Sequence, residues 1–208
     1  FLLHNRAIVN RCDDSVAFVW NGAPYFLRRS RGYAPLPLSM DPCMVGICAL
    51  GAEQKASFAL GQGQRLFLSP HIGDLKNLET LTHYETALRT YLRLFAIRPA
   101  LLVCDLHPDY ASTRTAQAMS CGQQLPLLQV QHHWAHMASC MADNGLTAPV
   151  FGIIWDGTGL GTDQTIWGGE FLTGDRAQFA RAGSIRPILL AGGDQATREI
   201  GRLALALL

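Results

Sequence analysis

The chain has 208 residues, of which 49% are hydrophobic and 16% are charged. This balance is typical of a globular protein with a buried core and excludes a mainly disordered chain. The formal net charge is +1, from Lys and Arg scattered along the sequence, so we expect no nucleic-acid partner. The longest apolar stretches, such as residues 203–208, are far shorter than the ~20 residues of a membrane span, so we expect no membrane association.

The six cysteines contain no CxxC pair. Most of them lie inside apolar segments, as Cys104 does at the end of Leu101-Leu102-Val103-Cys104. This placement predicts buried, reduced thiols rather than a disulfide framework or a zinc finger. A cytoplasmic location is therefore expected.

Short strand patterns occupy the first 38 residues. They lie at 7–9, 16–20 and 25–27, and the sequence Asn21-Gly22-Ala23-Pro24 predicts a turn between the last two. An arginine-rich segment, Arg28-Arg29-Ser30-Arg31, and three prolines between positions 35 and 42 follow. We expect a domain boundary in this proline-rich segment, after residue 38.

Residues 39–149 change to a mixed pattern of strands and helices. Strands are predicted at 44–50, 56–60 and 65–69, with a Gly61-Gln62-Gly63-Gln64 turn suited to a hairpin. A helix with leucines at helical spacing ends near Phe95, before Pro99. Strands at 101–104, 127–130 and 150–155 then alternate with helices after Pro108 and at 132–144. This order predicts an α/β fold of the ribonuclease-H-like type.

Residues 150–208 resemble the beginning of a second layered unit. Strand patterns at 151–155 and 165–172 flank a glycine-rich turn, and a strand at 186–190 and a helix at 196–208 follow. Together with the first unit, this order of elements predicts the two-lobed architecture of the actin-like ATPases (ASKHA). The expected domains are therefore 1–38, 39–149 and 150–208, the last being only the start of the second lobe.

The segment Gln131-His132-His133-Trp134-Ala135-His136 lies where a predicted strand passes into a helix. Four-residue spacing puts His132 and His136 one helical turn apart on the same face, where both imidazoles can bind one metal ion. Open α/β sheets bind ligands at the carboxyl ends of their strands, and this junction is such a place. The alternative is that the histidines are only packed or hydrogen-bonded near a helix start.

A second constellation runs from Asp156 to Glu170 and contains Asp156-Gly157-Thr158-Gly159-Leu160-Gly161 and Gly168-Gly169. Glycines at this density let backbone N–H groups approach phosphate oxygens, and Asp156 at a strand end could reach a metal. A tight β-hairpin turn without any ligand explains the same glycines.

Two further groups of polar residues are candidates for a site. Asp105 and His107 follow a buried strand and could contact substrate as catalytic residues, although Asp109 in the same segment could simply cap the next helix. Arg29 and Arg31 offer planar guanidinium groups for phosphate or carboxylate, although composition alone favours a solvated strand end.

Several of these motifs, in one order along the whole chain, resemble the HypF family of hydrogenase-maturation carbamoyltransferases. Residues 4–9, 13–16 and 28–35 are similar to the end of its YrdC-like α/β domain, which would make residues 1–38 a β-rich remnant of that domain. The segments at 50–53, 69–75, 104–110, 132–136 and 156–170 are similar to its transferase domain.

The resemblance implies that the protein carbamoylates the C-terminal cysteine of HypE, from carbamoyl phosphate and ATP, through carbamoyl adenylate. It implies His132, His136 and Asp156 as ligands of a divalent metal, Zn or Fe, with Mg accompanying the ATP. The nucleotide-side loop would contain the five glycines Gly157, Gly159, Gly161, Gly168 and Gly169. Arg29 and Arg31 would face the adenylate of the YrdC-like site.

The chain departs from the family pattern at Gln54-Lys55-Ala56-Ser57, at Pro70 and at Trp134. Most of the YrdC-like domain and of the second lobe is not in this sequence, so the segment by itself is expected to be inactive. Two alternatives remain: a TsaD-like tRNA threonylcarbamoyl transferase, which would bind tRNA, and a non-catalytic scaffold that binds ATP and metal.

Overall fold

The computed structural model describes residues 3–41 and 43–207. The chain forms two compact units, the first ending at Val130 and the second beginning at Gln131. Pro42 of the proline-rich segment and Leu208, at the end of the predicted last helix, lie outside the described residues. Each unit is an α/β arrangement with its own sheet.

The first unit opens with an antiparallel hairpin of β1 (Val16–Trp20) and β2 (Ala23–Arg28). Its turn residues Asn21 and Gly22 have φ values of 49° and 78°, the pair of positive angles that a type I′ turn requires. The sequence prediction of these two strands is confirmed. The predicted strand at 7–9 is wrong, because Ile8 and Val9 are 68% and 87% exposed and pair with no strand.

A six-stranded mixed sheet forms the centre of the first unit. Its strands are β3 (Leu38–Ser39), β4 (Ile47–Ala49), β5 (Ala59–Gln62), β6 (Arg65–Leu68), β7 (Leu101–Asp105) and β8 (Leu127–Val130). They lie in the order β3-β6-β5-β4-β7-β8. β4, β5 and β6 are antiparallel neighbours, whereas β7 pairs parallel with both β4 and β8. The predicted hairpin and the parallel strands after it are therefore confirmed.

The strand predicted at 44–50 is shorter in the structure, because the chain bends at Gly46. Gly46 has a φ of 73°, a conformation that interrupts a strand, and β4 begins only at Ile47. The backbone of Met44 crosses so close to Gly61 that no side chain fits there. The bend therefore results from a close crossing of two backbones that the apolar pattern of residues 44–50 does not reveal.

Two helices belong to the first unit, α1 (Leu78–Leu94) and α2 (Ala111–Gln123). Asn77 caps α1, accepting hydrogen bonds from the N–H groups of Glu79 and Thr80. α1 buries Tyr84 and Leu88 in a core where Phe58 packs edge-on against Tyr84 at 5.7 Å. The Tyr84 hydroxyl donates to the Leu50 carbonyl at 2.5 Å, and burial raises the pKa of Tyr84 well above its usual value.

The second unit contains α3 (His132–Asp143), a three-stranded antiparallel sheet and two short helices. The strands are β9 (Val150–Leu160), β10 (Ile166–Gly174) and β11 (Phe179–Ser184), in the order β11-β10-β9. The helices are α4 (Asp194–Arg198) and α5 (Ile200–Leu207). No described helix is both long enough and apolar enough to cross a bilayer.

Three predictions for this unit need correction. β9 continues through the glycines as far as Leu160, so the loop is shorter than predicted. The predicted strand at 186–190 is wrong, since the third strand lies earlier, at β11. The predicted single helix from residue 196 is divided at Glu199, whose φ of −108° and ψ of 82° are not helical.

A partly buried ion pair links β11, which has the weakly apolar sequence Phe179-Ala180-Arg181-Ala182-Gly183-Ser184, to β10. Arg181 donates two hydrogen bonds to Glu170 on β10, at 2.6 and 2.9 Å, and Glu170 is only 2% exposed. The same guanidinium lies 4.3 Å from the centre of the Trp167 ring. A charged side chain therefore adds to the backbone pairing of a strand that has no strong apolar pattern.

The six cysteines are all free thiols, and they are buried, exposed or, at Cys12, partly buried. Cys48 and Cys104 are buried, and burial raises the pKa of Cys48 to about 12. Cys43, Cys121 and Cys140 are exposed. The prediction of burial therefore holds for the two cysteines on strands but not for these three.

We expect Tyr84→Phe to destabilise the chain by about 1–3 kcal/mol, because the buried Leu50 carbonyl loses its hydrogen-bond donor. Tyr91→Phe is the matched control, since Tyr91 also packs edge-on against Phe58 and its hydroxyl has no hydrogen bond among the described residues. Urea unfolding of both variants measures the difference. Equal losses would show that the Tyr84 hydroxyl contributes nothing.

Candidate metal and nucleotide site

His132 and His136 lie one turn apart at the beginning of α3, with their rings side by side. The two Nε2 atoms are 3.2 Å apart, and the ring planes meet at 78°. The i, i+4 spacing therefore brings the two imidazoles together as the sequence suggested. His133, between them, is fully buried, and its Nε2 lies 2.9 Å from the Gly168 carbonyl oxygen.

Asp156 on β9 reaches the same place from the sheet. Its Oδ2 lies 3.0 Å from His132 Nε2, and the three possible ligand atoms of His132, His136 and Asp156 are all within 4.8 Å of one another. That Oδ2 is buried and accepts no well-formed hydrogen bond from the described residues. Nitrogen ligands bound to a tetrahedral Zn²⁺ at 2.0–2.1 Å lie ~3.3 Å apart, so the shortest distances in this cluster fit one cation.

The electrostatics of Asp156 suit a metal ligand. Burial raises the pKa of this carboxyl group, but the 3.0 Å contact with His132, the hydrogen bond from the Gly157 N–H and the charges of both histidines together lower it further than burial raises it. The net pKa is below the usual value for Asp. Asp156 is therefore ionised at neutral pH, as coordination to a cation requires.

Three of the five candidate glycines have a packing reason to be glycine. A Cβ on Gly159 would lie 2.7 Å from the His133 ring and 2.9 Å from the Cβ of His132. A Cβ on Gly161 would clash with the Trp167 ring, and one on Gly169 would lie 2.5 Å from Ile185. These glycines let the sheet approach its neighbours closely.

Gly157 and Gly168 have open space around them instead. No atom lies within 4 Å of a Cβ built on Gly157, and the nearest to one on Gly168 is the Asp156 carbonyl oxygen at 3.6 Å. Their N–H groups are used inside the chain, by Asp156 Oδ1 at 2.7 Å and by Glu170 Oε1 at 3.4 Å. These two positions therefore leave an uncovered surface next to Asp156.

Asp105 and His107 shape the loop that follows β7 in the first unit. Asp105 is buried, and its Oδ1 accepts the His107 N–H at 2.8 Å. His107 stacks on Tyr110 with ring centres 4.2 Å apart, and its Nδ1 accepts the Asp109 N–H at 3.2 Å. Asp109 is not the N-cap of α2; the N-cap residue is Tyr110, whose side chain makes no capping hydrogen bond.

Glu53, rather than Asp109, accepts a hydrogen bond at the N-terminus of α2, and the sequence pattern does not predict this role. Its Oε2 accepts the N–H of Ala111, the first residue of α2, at 2.6 Å, and Glu53 is only 6% exposed. A carboxylate at a helix N-terminus is favoured by the helix dipole. The contact spans 58 residues of sequence, so no local pattern reveals it.

Arg29 is hydrogen-bonded, and Arg31 is ion-paired, to other residues of the first unit. Arg29 donates to the carbonyls of Tyr33 and Leu36, at 3.1 and 3.0 Å. Arg31 Nε lies 3.4 Å from Asp14 Oδ1, on the surface. The two arginines therefore fix the segment after β2.

A cavity of about 660 Å³ opens beside Arg29. Its lining residues are Val16, Leu27, Arg28, Arg29, Lys55, Ser57, Leu68, Ser69 and His71. The lining contains no carboxylate, and burial together with the charge of Arg28 lowers the pKa of His71. The cavity is therefore a basic environment that favours an anion.

Two protein-family models match the chain and identify the class of protein to which it belongs. Residues 43–143 match the family model of the HypF Kae1-like domain, and residues 152–208 match the model of the carbamoyltransferase Kae1-like domain, second subdomain. Both models describe parts of one kind of carbamoyltransferase, and together they account for most of the chain. The chain belongs to the HypF family.

Individual relatives agree along almost the whole sequence. The chain is 42% identical over 205 residues to carbamoyltransferase HypF of Rhizobium leguminosarum bv. viciae, covering 99% of this chain and 26% of that protein. HypF of Synechocystis is also 42% identical, over 210 residues, covering 100% of this chain and 27% of that protein. This chain thus spans about a quarter of the length of the curated relatives that it matches.

Solved structures of the family share the fold. A structure of full-length HypF in a phosphate- and nucleotide-bound form superposes with a TM-score of 0.90 at 41% identity, covering 97% of this chain and 26% of that chain. HypF of T. kodakarensis superposes with a TM-score of 0.81 at 38% identity, covering 90% of this chain and 25% of that chain. The mixed α/β fold is therefore that of the corresponding region of HypF.

We expect Gly159→Ala to destabilise the chain by about 1–3 kcal/mol, because the added methyl group collides with His132 and His133. Gly157→Ala on the same strand is the control, and it should change stability by less than about 1 kcal/mol because its methyl group meets open space. Thermal unfolding of both variants compares them. Similar losses would contradict the close packing of α3 on Gly159.

Proposed function

We propose that His132, His136 and Asp156 bind one divalent cation, Zn²⁺ or Fe²⁺. The observation that carries this proposal is the approach of a buried carboxylate oxygen and two imidazole nitrogens to one point. Imidazole and carboxylate ligands suit both metals. The same distances without a metal would leave Asp156 Oδ2 buried and poorly hydrogen-bonded, which is unfavourable.

We further propose that the uncovered surface at Gly157 and Gly168 faces the phosphates of ATP, bound with Mg²⁺. Its position next to Asp156 places it beside the proposed cation. Gly159, Gly161 and Gly169 would then serve the same loop indirectly, by allowing its close packing. The nucleotide in the matched full-length HypF structure supports a nucleotide site in this family.

The arginine segment is proposed to face the adenylate of a second, YrdC-like site. Arg29 lines the basic cavity, where a phosphate group would find Arg28 and Lys55 without carboxylate partners. Arg31 is already paired with Asp14, so it would contribute by exchanging that exposed contact. Exposed ion pairs are worth roughly 0–1 kcal/mol, which a bound phosphate can replace.

The strand order supports an actin-like (ASKHA) architecture for the transferase part. β6-β5-β4-β7-β8 has three antiparallel strands followed by two parallel ones, as in ribonuclease-H-like lobes. After α3, the chain continues with three antiparallel strands and then helices, which agrees with the start of another lobe at about residue 150. The division into 1–38, 39–149 and 150–208 follows from this proposal.

The reaction proposed for the protein of which this region is part is carbamoyl transfer to HypE. Carbamoyl phosphate would first be hydrolysed to carbamate and phosphate, and a carbamate oxygen would attack the α-phosphorus of ATP, giving carbamoyl adenylate and releasing pyrophosphate. The thiolate of the C-terminal HypE cysteine would then attack the carbamoyl carbon. A C–S bond forms, the C–O bond to AMP breaks, and the thiol proton passes to water. The cation, when bound, supplies Lewis-acid polarisation of the carbamoyl oxygen.

The chain's own residues would orient this chemistry. With Nε2 deprotonated, His132 and His136 would direct their lone pairs toward the cation, and Asp156 would contribute a negative charge that balances it. Asp105 and His107 are proposed to contact substrate from the loop after β7, which their hydrogen bond and the stacked Tyr110 keep in one conformation. We propose a cytoplasmic location for this reaction.

Replacing His132 and His136 together by Ala should remove the bound metal. Two of three protein ligands are lost, so we expect less than about one tenth of the wild-type metal content after purification and refilling. Elemental analysis measures it, with His83→Ala as the control for loss of a histidine elsewhere. Equal metal content in the wild type and the double variant would refute the site.

Carbamoyl transfer is best tested in a chimera, in which this sequence replaces the matching 205-residue region of the Rhizobium leguminosarum HypF. We expect the chimera to carbamoylate the C-terminal cysteine of HypE, detected by mass spectrometry, and the His132→Ala, His136→Ala version to lose at least ~100-fold in rate. A chimera that binds metal and ATP but transfers nothing would favour the scaffold alternative. The 208-residue chain alone should be inactive.

A further inference from the structure

We infer that Gln131 and His133 are positioning residues that orient α3 so that His132 and His136 face Asp156. The inference rests on the proposed metal site and adds to it two side chains that are not ligands. We call the pair the α3 clamp.

Gln131 uses both ends of its amide to fix the first turn of α3. Gln131 is the N-cap residue of α3, and its Oε1 accepts the Trp134 N–H at 2.9 Å. Its Nε2 donates to the Leu160 carbonyl at the end of β9, at 3.1 Å. One buried amide thus ties the start of the helix to the strand that carries Asp156.

His133 forms the second connection, to β10. Its ring is fully buried, with Nε2 2.9 Å from the Gly168 carbonyl and Nδ1 3.2 Å from Gln131 Nε2. A carbonyl can only accept, so Nε2 carries the proton, and Nδ1 accepts from the Gln131 amide. The two clamp residues therefore fix each other's orientation.

The Gly168 carbonyl lies where the ladder between β9 and β10 is irregular. Trp167 pairs with Gly159 and Gly169 pairs with Trp155, so the extra residues, 156–158, lie on β9 and Gly168 has no paired residue across the ladder. A bulge of this kind turns one backbone group out of the regular sheet. Here that group accepts a hydrogen bond from the helix.

The clamp sets the rotation of α3 about its axis. Neighbouring helical residues project about 100° apart, so fixing His133 toward the sheet fixes the direction of His132 and, one turn later, of His136. Gly159 provides the space in which the two rings lie against the strand. An apolar side chain at position 133 could fill the same volume, but it would not specify this rotation.

Conservative variants separate this role from simple packing. His133→Gln keeps a donor near the place of Nε2, whereas His133→Asn is too short to reach Gly168. We expect Co²⁺ affinity, measured by chelator competition, to be about tenfold weaker in His133→Asn than in the wild type and restored in His133→Gln. Gln131→Glu keeps the helix cap but loses the donors to Leu160 and His133, so it should weaken Co²⁺ binding similarly.

Two controls accompany these titrations on the whole chain. Thermal unfolding without metal reports stability, and the nitrogen chemical shifts of His133 report its tautomer, which should be protonated at Nε2. A loss of affinity that merely follows the metal-free melting temperature overturns the positioning role. So does the opposite tautomer, or equal Co²⁺ affinity in all variants.

The proposed function and this inference fail in different ways. If the wild-type chain binds no Co²⁺, the metal site itself is wrong and the inference is overturned with it. If the wild type binds Co²⁺, the His132→Ala, His136→Ala variant does not, and His133→Asn binds as tightly as the wild type, only the inference is overturned.

Discussion

The 3.0 Å contact between His132 on α3 and Asp156 on β9 is the interaction on which the site depends. It requires the helix to lie directly on the strand, and that is possible only because residue 159 has no side chain. It also requires β9 to stay extended past Trp155, so that Asp156 belongs to a strand rather than to a mobile turn. The close packing of α3 on β9 thus contributes to the core and also sets the geometry of the proposed cation site.

The sequence predicted the relation between the two histidines for a reason that is local. The spacing of His132 and His136 fixes their relation within one helix, and a strand such as β7 has an apolar sequence that marks its position directly. The relation of Asp156 to the histidines was inferred from a family resemblance, because the chain between them sets no distance. The close packing at Gly159 and the hydrogen bonds of the buried Gln131 amide depend on the same contact between α3 and β9.

The elements that the sequence misplaced are those stabilised by contacts far along the chain. Residues 7–9 are apolar but have no neighbouring strand to pair with, whereas β11 is held by Arg181 bonding to Glu170. Glu53 reaches the start of α2 from a distant loop and replaces the local cap that Asp109 suggested. In the last two cases a polar contact contributes to the local structure, and apolar periodicity carries no information about such contacts.

The Arg181–Glu170 pair also determines how the second unit should respond to ionic strength. Surface pairs such as Arg89–Glu85, 3.9 Å apart and well exposed, weaken as dissolved ions screen them. Glu170 is almost completely enclosed and accepts two hydrogen bonds from the guanidinium of Arg181, whose side chain is 31% exposed. Concentrated salt should therefore weaken the contact between β11 and β10 less than it weakens the charge pairs on the surface of α1.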